Sequence, residues 1–132
     1  MNPSLFVTPI QTKIFEVGQN LESFILESLK DIKIKEKSIL VITSKLISLS
    51  ENRIVPKHLI DKDQLITQEA DHDLGEIAFG CRLTIKHGLF IPAAGVDESN
   101  SADGSYILFP KDPFLSGERT HAQLVLEQWR SL

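Results

Sequence analysis

The sequence predicts an α+β domain, with a mixed core sheet and about three helices spread over residues 1–132. Three observations carry that reading. Residues 38–43 include Ile39, Leu40, Val41 and Ile42 in an unbroken, β-branched run, the pattern of a strand buried on both faces. Leu21, Phe24, Ile25, Leu29 and Ile32 fall on one stripe at helical spacing. Two further apolar runs, residues 83–92 and 106–110, flank an oxygen-dense loop flexed by Gly95 and Gly104. A buried strand pair that delivers carboxylate, hydroxyl and amide groups to one loop suits a hard cation or a phosphate.

The elements follow in order. Leu5, Phe6 and Val7 read as a short strand whose exit is fixed by Pro9. Gly18 and Gln19 open a helix with Asn20 as N-cap, Glu22 in the first turn and Lys30 near the end, as the helix dipole prefers. After the apolar run, residues 44–49 read as helix in preference to a continued strand. Residues 63–70 read as a short helix, and His87-Gly88 as a hairpin turn between two β-rich segments. Asp112 and Pro113 supply the N-cap and first position of a last helix, whose apolar face would hold Leu115, Ala122, Val125, Leu126 and Trp129.

Bulk composition narrows the function classes. The apolar fraction is 42% and the charged fraction 24%, ordinary for a soluble globular protein. Net charge is −4, from 18 acidic and 14 basic residues, the wrong sign for a phosphate-backbone partner, so no nucleic acid is expected. Cys81 is the single cysteine, which rules out an internal disulfide and suits a reducing cytoplasm. No stretch approaches the roughly 18 apolar residues of a membrane helix, and the N-terminus lacks a signal-peptide pattern.

Three constellations could carry chemistry. Thr43-Ser44-Lys45 ends an apolar run before a helical turn, where backbone N–H groups, a hydroxyl and an ammonium could meet a phosphate. It lacks the glycines of a P-loop, and the residues alone read more readily as a capped helix with a solvated lysine. Asp97, Glu98, Ser99, Asn100 and Asp103 offer oxygens, but Ala102 and Leu108 stand where an EF-hand needs glycine and glutamate. A Mg²⁺ or Mn²⁺ site built on one carboxylate plus substrate phosphates stays open beside a plain polar turn. Glu69, Asp71, His72 and Asp73 read as a solvated loop more readily than as a metal or acid–base cluster. His58, His87 and His121 have no zinc-ligand spacing, and Cys81 reads as a small buried filler.

One ordered set of motifs goes further. Thr8-Pro9-Ile10, Val41-Ile42-Thr43-Ser44-Lys45, Ser50-Glu51-Asn52-Arg53, Ala94-Gly95-Val96-Asp97-Glu98-Ser99-Asn100 and Phe109-Pro110-Lys111-Asp112-Pro113 occur in that sequence. Together they resemble the coenzyme F420-0:L-glutamate ligase family, closest to the branch labelled a folate-metabolism γ-glutamate ligase. The resemblance spans nearly the whole chain and implies the N-terminal region of such an enzyme. It implies GTP and a divalent metal, Mg²⁺ or Mn²⁺, used to join L-glutamate to a carboxylate acceptor through an amide bond. It implies that Thr8, Pro9, Ile10 and Gln11 line the nucleotide. Ser44 and Lys45 would touch it at the end of the run, Asn100 would hydrogen-bond it, and Asp97 would ligate the metal.

Two departures accompany the match. Leu49 stands where the deazaflavin-pathway enzymes have a lysine, and Asn52 replaces the glycine of their Glu-Gly-Arg turn, a mild change because asparagine tolerates positive φ. Catalytic members are longer, continuing into a strand with further metal ligands. The resemblance therefore implies that this chain alone is incomplete, and that it works as a homodimer or with a complementing C-terminal half. The contrasting expectation is a non-catalytic binding or assembly module that keeps the fold.

Overall fold

Asn20 begins the first helix as its composition requires. In the computed structural model, which describes residues 6–99 and 104–116, its side-chain oxygen accepts from the Ser23 N–H at 2.7 Å. Helix α1, Leu21–Leu29, turns Leu21, Phe24 and Ile25 inward. Ile32 lies past its end and is 43% exposed, so the stripe is one turn shorter than its spacing suggests. Helix α2, Ser44–Ser50, is capped by Thr43. Phe15 packs edge-on against Phe24, with 4.9 Å between ring centroids. Those two rings, Leu21 and Ile25 form an apolar cluster on which Leu29, Ile42, Leu46, Ile47 and Leu49 rest.

The second half is built on strands. β1, Ile54–Pro56, pairs antiparallel with β5, Ser105–Ile107. Between them in sequence come helix α3, Lys62–Glu69, capped by Asp61, and strands β2, His72–Ala78, β3, Cys81–Lys86, and β4, Leu89–Pro92. The last three form an antiparallel meander in the order β2-β3-β4. His87 and Gly88 close the β3–β4 hairpin at φ 52° and 72°, the two-residue positive-φ loop that matches strand twist. Phe79 and Gly80 do the same between β2 and β3, at φ 54° and 71°. A second cluster joins α3 to this frame through Leu65, Ile66, Ala94, Val96, Tyr106 and Leu108.

The α+β class and the three helices agree with expectation. The sheet differs in detail, because among the described residues every pairing is antiparallel and divided between two small sheets. The apolar run at 38–43 is not a strand there, nor are Phe6 and Val7. Ile39 and Val41 are 86% and 85% exposed, while Ile42 rests on the helical cluster. The run keeps the period of a strand, one side in and one out, but among the described residues it pairs with no other strand. Strand propensity is realised only where a second edge supplies hydrogen bonds and a covering layer. The run 83–92 is likewise a hairpin in itself, not half of a pair with 106–110.

At the far end, Asp112 caps the turn at 113–116, its carboxylate accepting from the Leu115 N–H at 2.9 Å. The rest of that expected helix, with Ala122, Val125, Leu126 and Trp129, lies outside the described residues. Among the described residues no helix is long and apolar enough to cross a membrane.

Candidate functional site

Two elements meet at Lys45 and Asp97. Thr43 stops the extended run and caps α2, which sets Lys45 in the first turn. From the other side, Asp97 exchanges both backbone hydrogen bonds with Ile107, at 2.8 and 2.7 Å. Asp97 therefore forms a single bridge on the edge of β5 that faces away from β1. The Lys45 ammonium lies 2.6 Å from Asp97 Oδ2. It also donates to the Ser99 hydroxyl at 3.0 Å and the Ser99 carbonyl at 3.3 Å. The other Asp97 oxygen, Oδ1, accepts from the Ser99 N–H at 2.8 Å and from its hydroxyl at 2.7 Å.

That geometry fixes the charge of Asp97. Partial burial pushes its carboxyl up, but the Lys45 ammonium and the two Ser99 donors outweigh it and hold the group down at about 2. The carboxylate is thus ionised throughout the neutral range. Three oxygens of Asp97 and Ser99 surround one cation, here the lysine's own. Carboxylate, carbonyl and hydroxyl oxygens are the donors Mg²⁺ and Mn²⁺ take, and Mg²⁺ commonly uses one protein carboxylate and completes its shell with phosphate and water. The residues present fit such an ion, although among the described residues no group of three acidic, histidine or cysteine side chains converges on one point.

Further cations ring the loop. Glu98 lies 2.7 Å from the Lys62 ammonium and 3.3 Å from that of Lys57. Lys57 also sits 5.3 Å above the Tyr106 ring. These contacts hold the Glu98 carboxyl below the usual range. The expected site residues are otherwise dispersed. Ser44 is exposed at the start of α2, Thr8, Pro9 and Gln11 are exposed in chain without regular secondary structure, and Ile10 is half-buried. No hydrogen bond among the described residues links these four N-terminal residues to Lys45 or Asp97. Asn100 lies outside the described residues, as does Asp103.

In the cluster read as a solvated loop, Asp71 and His72 are exposed, but the acids hold the fold through defined partners. Glu69 accepts from the Arg53 guanidinium at 2.5 Å and from the Lys86 ammonium, and Lys86 is only 5% exposed. Burial pushes the Glu69 carboxyl up, and the two cations reverse that and lower it. Asp71 accepts from the His87 N–H at 2.6 Å, and Asp73 from the Arg82 Nε at 3.1 Å. None of these acids is free for metal or acid–base work. Cys81 is half-buried beside the Phe79-Gly80 turn, not a core filler. Asn52 adopts φ 55°, as its turn requires, and Leu49 packs into the helical cluster.

Sequence reasoning missed the joint that delivers Asp97. Ala93, Ala94 and Gly95 form a single 3₁₀ turn in which all three have positive φ, at 52°, 50° and 73°. Left-handed backbone costs an alanine roughly 1–2 kcal/mol, so the surroundings must hold the turn in place. Gly95 has no alternative, because a Cβ there would lie 2.7 Å from the Phe109 Cβ. Thr84, fully buried in β3, accepts from the Ala94 N–H at 2.8 Å and donates to the Ile91 carbonyl. Two consecutive alanines before glycine gave no signal of a left-handed turn in the sequence.

The family described as F420-0:Gamma-glutamyl ligase matches residues 9–128. The match covers most of the 132 residues and includes both Lys45 and Asp97, and the chain belongs to that family.

Proposed function

We propose that this chain, as a member of the F420-0:gamma-glutamyl ligase family, supplies a phosphate-facing lysine and a metal-facing aspartate to GTP-dependent amide-bond formation. The reaction joins L-glutamate to a carboxylate acceptor. The acceptor carboxylate oxygen attacks the γ-phosphorus and GDP leaves. The glutamate amine then attacks the resulting acyl carbon, the amide forms, and phosphate departs with the bonding pair. A bound Mg²⁺ or Mn²⁺ would neutralise phosphate charge as the phosphoryl group moves.

The observation that carries this reading is the Lys45 ammonium seated on Asp97 and Ser99 oxygens. The lysine holds the position of a cation and is tethered by a flexible side chain. An incoming phosphate offers that ammonium a stronger partner, and its departure frees Asp97 and Ser99 for the metal. Phosphate and metal would then support one another. Thr8, Pro9, Ile10, Gln11, Ser44 and Asn100 would complete the nucleotide's surroundings. A homodimer or a complementing segment would supply the remaining contacts.

Calorimetric titration of GTP, with and without Mn²⁺, tests the reading against an Asp97→Ala control. Metal-dependent binding that the control loses is the expected result. Absence of binding in every condition would overturn it and favour the second reading, a binding or assembly module that retains the fold. One observation supports that alternative: Leu49 is committed to the apolar cluster and offers no cation to a phosphate.

A further inference from the structure

A threonine in the middle of an apolar strand demands a reason. Thr84 lies between Leu83 and Ile85 in β3, opposite Ile91 of β4 and Asp73 of β2. It is 0% exposed, so its hydroxyl has no access to water. Valine would fill the same volume and suit the strand equally well, without a polar atom to satisfy. The hydroxyl is satisfied twice, once on each side. It donates to the Ile91 carbonyl, which belongs to its own sheet. It accepts from the Ala94 N–H at 2.8 Å, and that amide is buried too.

The second bond crosses from the three-stranded sheet to the left-handed turn. Val96 N–H returns to the Ala93 carbonyl at 2.8 Å and closes the turn, and the chain then enters the Asp97–Ile107 bridge. Only two residues, Gly95 and Val96, separate Ala94 from Asp97. Gly95 against Phe109 fixes the same turn from the opposite side. A turn of two left-handed alanines would relax toward ordinary φ without such a clasp.

We propose that Thr84 is a positioning residue for Asp97: its hydroxyl pins the Ala93–Gly95 turn and so places the carboxylate that faces the metal. The inference rests on the reading of Asp97 given above. Thr84 touches neither phosphate nor metal, and acts through Ala94 on the direction in which Asp97 leaves the turn.

The experiment compares Mn²⁺ binding by the full chain, measured by calorimetry well below the melting temperature, for wild type, Thr84→Val, Thr84→Ser and Asp97→Ala. Thr84→Val is expected to weaken Mn²⁺ binding at least about tenfold, the usual consequence of losing a residue that orients a ligand. Thr84→Ser keeps the hydroxyl and is expected to restore affinity to within about twofold of wild type. A merely structural threonine would lower the melting temperature and leave Mn²⁺ affinity of the folded protein unchanged. If Asp97→Ala abolishes binding while Thr84→Val matches wild type, this inference is overturned and the reading of Asp97 stands. A wild-type chain that binds no Mn²⁺ overturns both. Should Thr84→Val fail to fold, hydrogen exchange of the wild-type Ala94 amide decides. Slow exchange that slows further with Mn²⁺ supports the clasp, and exchange indifferent to Mn²⁺ overturns it.

Discussion

Two apolar clusters contribute to this chain, and they are held in different ways. The cluster of Leu65, Ile66, Ala94, Val96, Tyr106 and Leu108 sits among antiparallel strands, and ion pairs lie beside it. The cluster of Phe15, Leu21, Phe24 and Ile25 rests on two helices, and the chain leading into it is irregular and largely uncovered. Phe6, Val7, Ile14, Ile39 and Val41 are each more than 80% exposed. The difference teaches where local sequence is sufficient. A hairpin brings its own partner within a few residues, whereas an isolated apolar run depends on an edge from elsewhere.

The sharpest contrast lies in buried charge, and removing it should produce the largest effect. Glu69 holds Arg53 and Lys86 together on the strand side, with the Lys86 side chain 6% exposed. Glu69→Gln would leave two cations without a countercharge and should destabilise the fold by about 3 kcal/mol. Urea denaturation at neutral pH measures it. The sign with pH follows from the lowered Glu69 carboxyl. Its contribution is fully present above the ordinary 4.5 and fades as pH falls through the lower folded value. Wild type should therefore lose stability on acidification more steeply than the variant. Parallel curves would show that the three charges are not coupled.

A smaller effect is expected at the joint between the two sheets. Gly95→Ala adds a Cβ 2.7 Å from the Phe109 Cβ at a backbone φ of +73°. The strain of both should destabilise the chain by about 2 kcal/mol. Ala93 and Ala94 already tolerate positive φ, so the clash with Phe109 decides the magnitude. Pairing Gly95→Ala with Phe109→Gly, which removes the obstructing Cβ together with the ring, tests that directly. Partial recovery in the double variant identifies the Phe109 side chain as the obstacle, and simple additivity would place the cost in the backbone.

These residues also show what was legible in advance. Asn20 and Asp112 announced two helix starts because capping is a matter of neighbours in sequence. The His87-Gly88 turn and the positive φ of Asn52 were readable for the same reason. The Glu69–Arg53 and Glu69–Lys86 pairs span 16 and 17 residues, and a run of acids gave no hint of either partner. Asp97 and Lys45 stood out through motif resemblance, but the ammonium between Asp97 and Ser99 depends on a contact across 54 residues. Thr84 was invisible as a functional residue, since its role lies in one bond to a turn with no sequence signature.

The smallest effect on the folded chain should come from the uncovered run, and it carries the most information about assembly. Ile39 and Val41 point outward at 86% and 85% exposure, so Ile39→Thr with Val41→Thr should change denaturation of dilute protein by no more than about 0.5 kcal/mol. Threonine preserves β-branching and alters only the apolar surface. If that surface is covered by a second copy, wild type should sediment as a dimer at tens of micromolar and the double variant as a monomer. A monomeric wild type would detach the exposed run from self-association. The row would then await a different covering edge, as its preserved alternation and missing partner strand among the described residues imply.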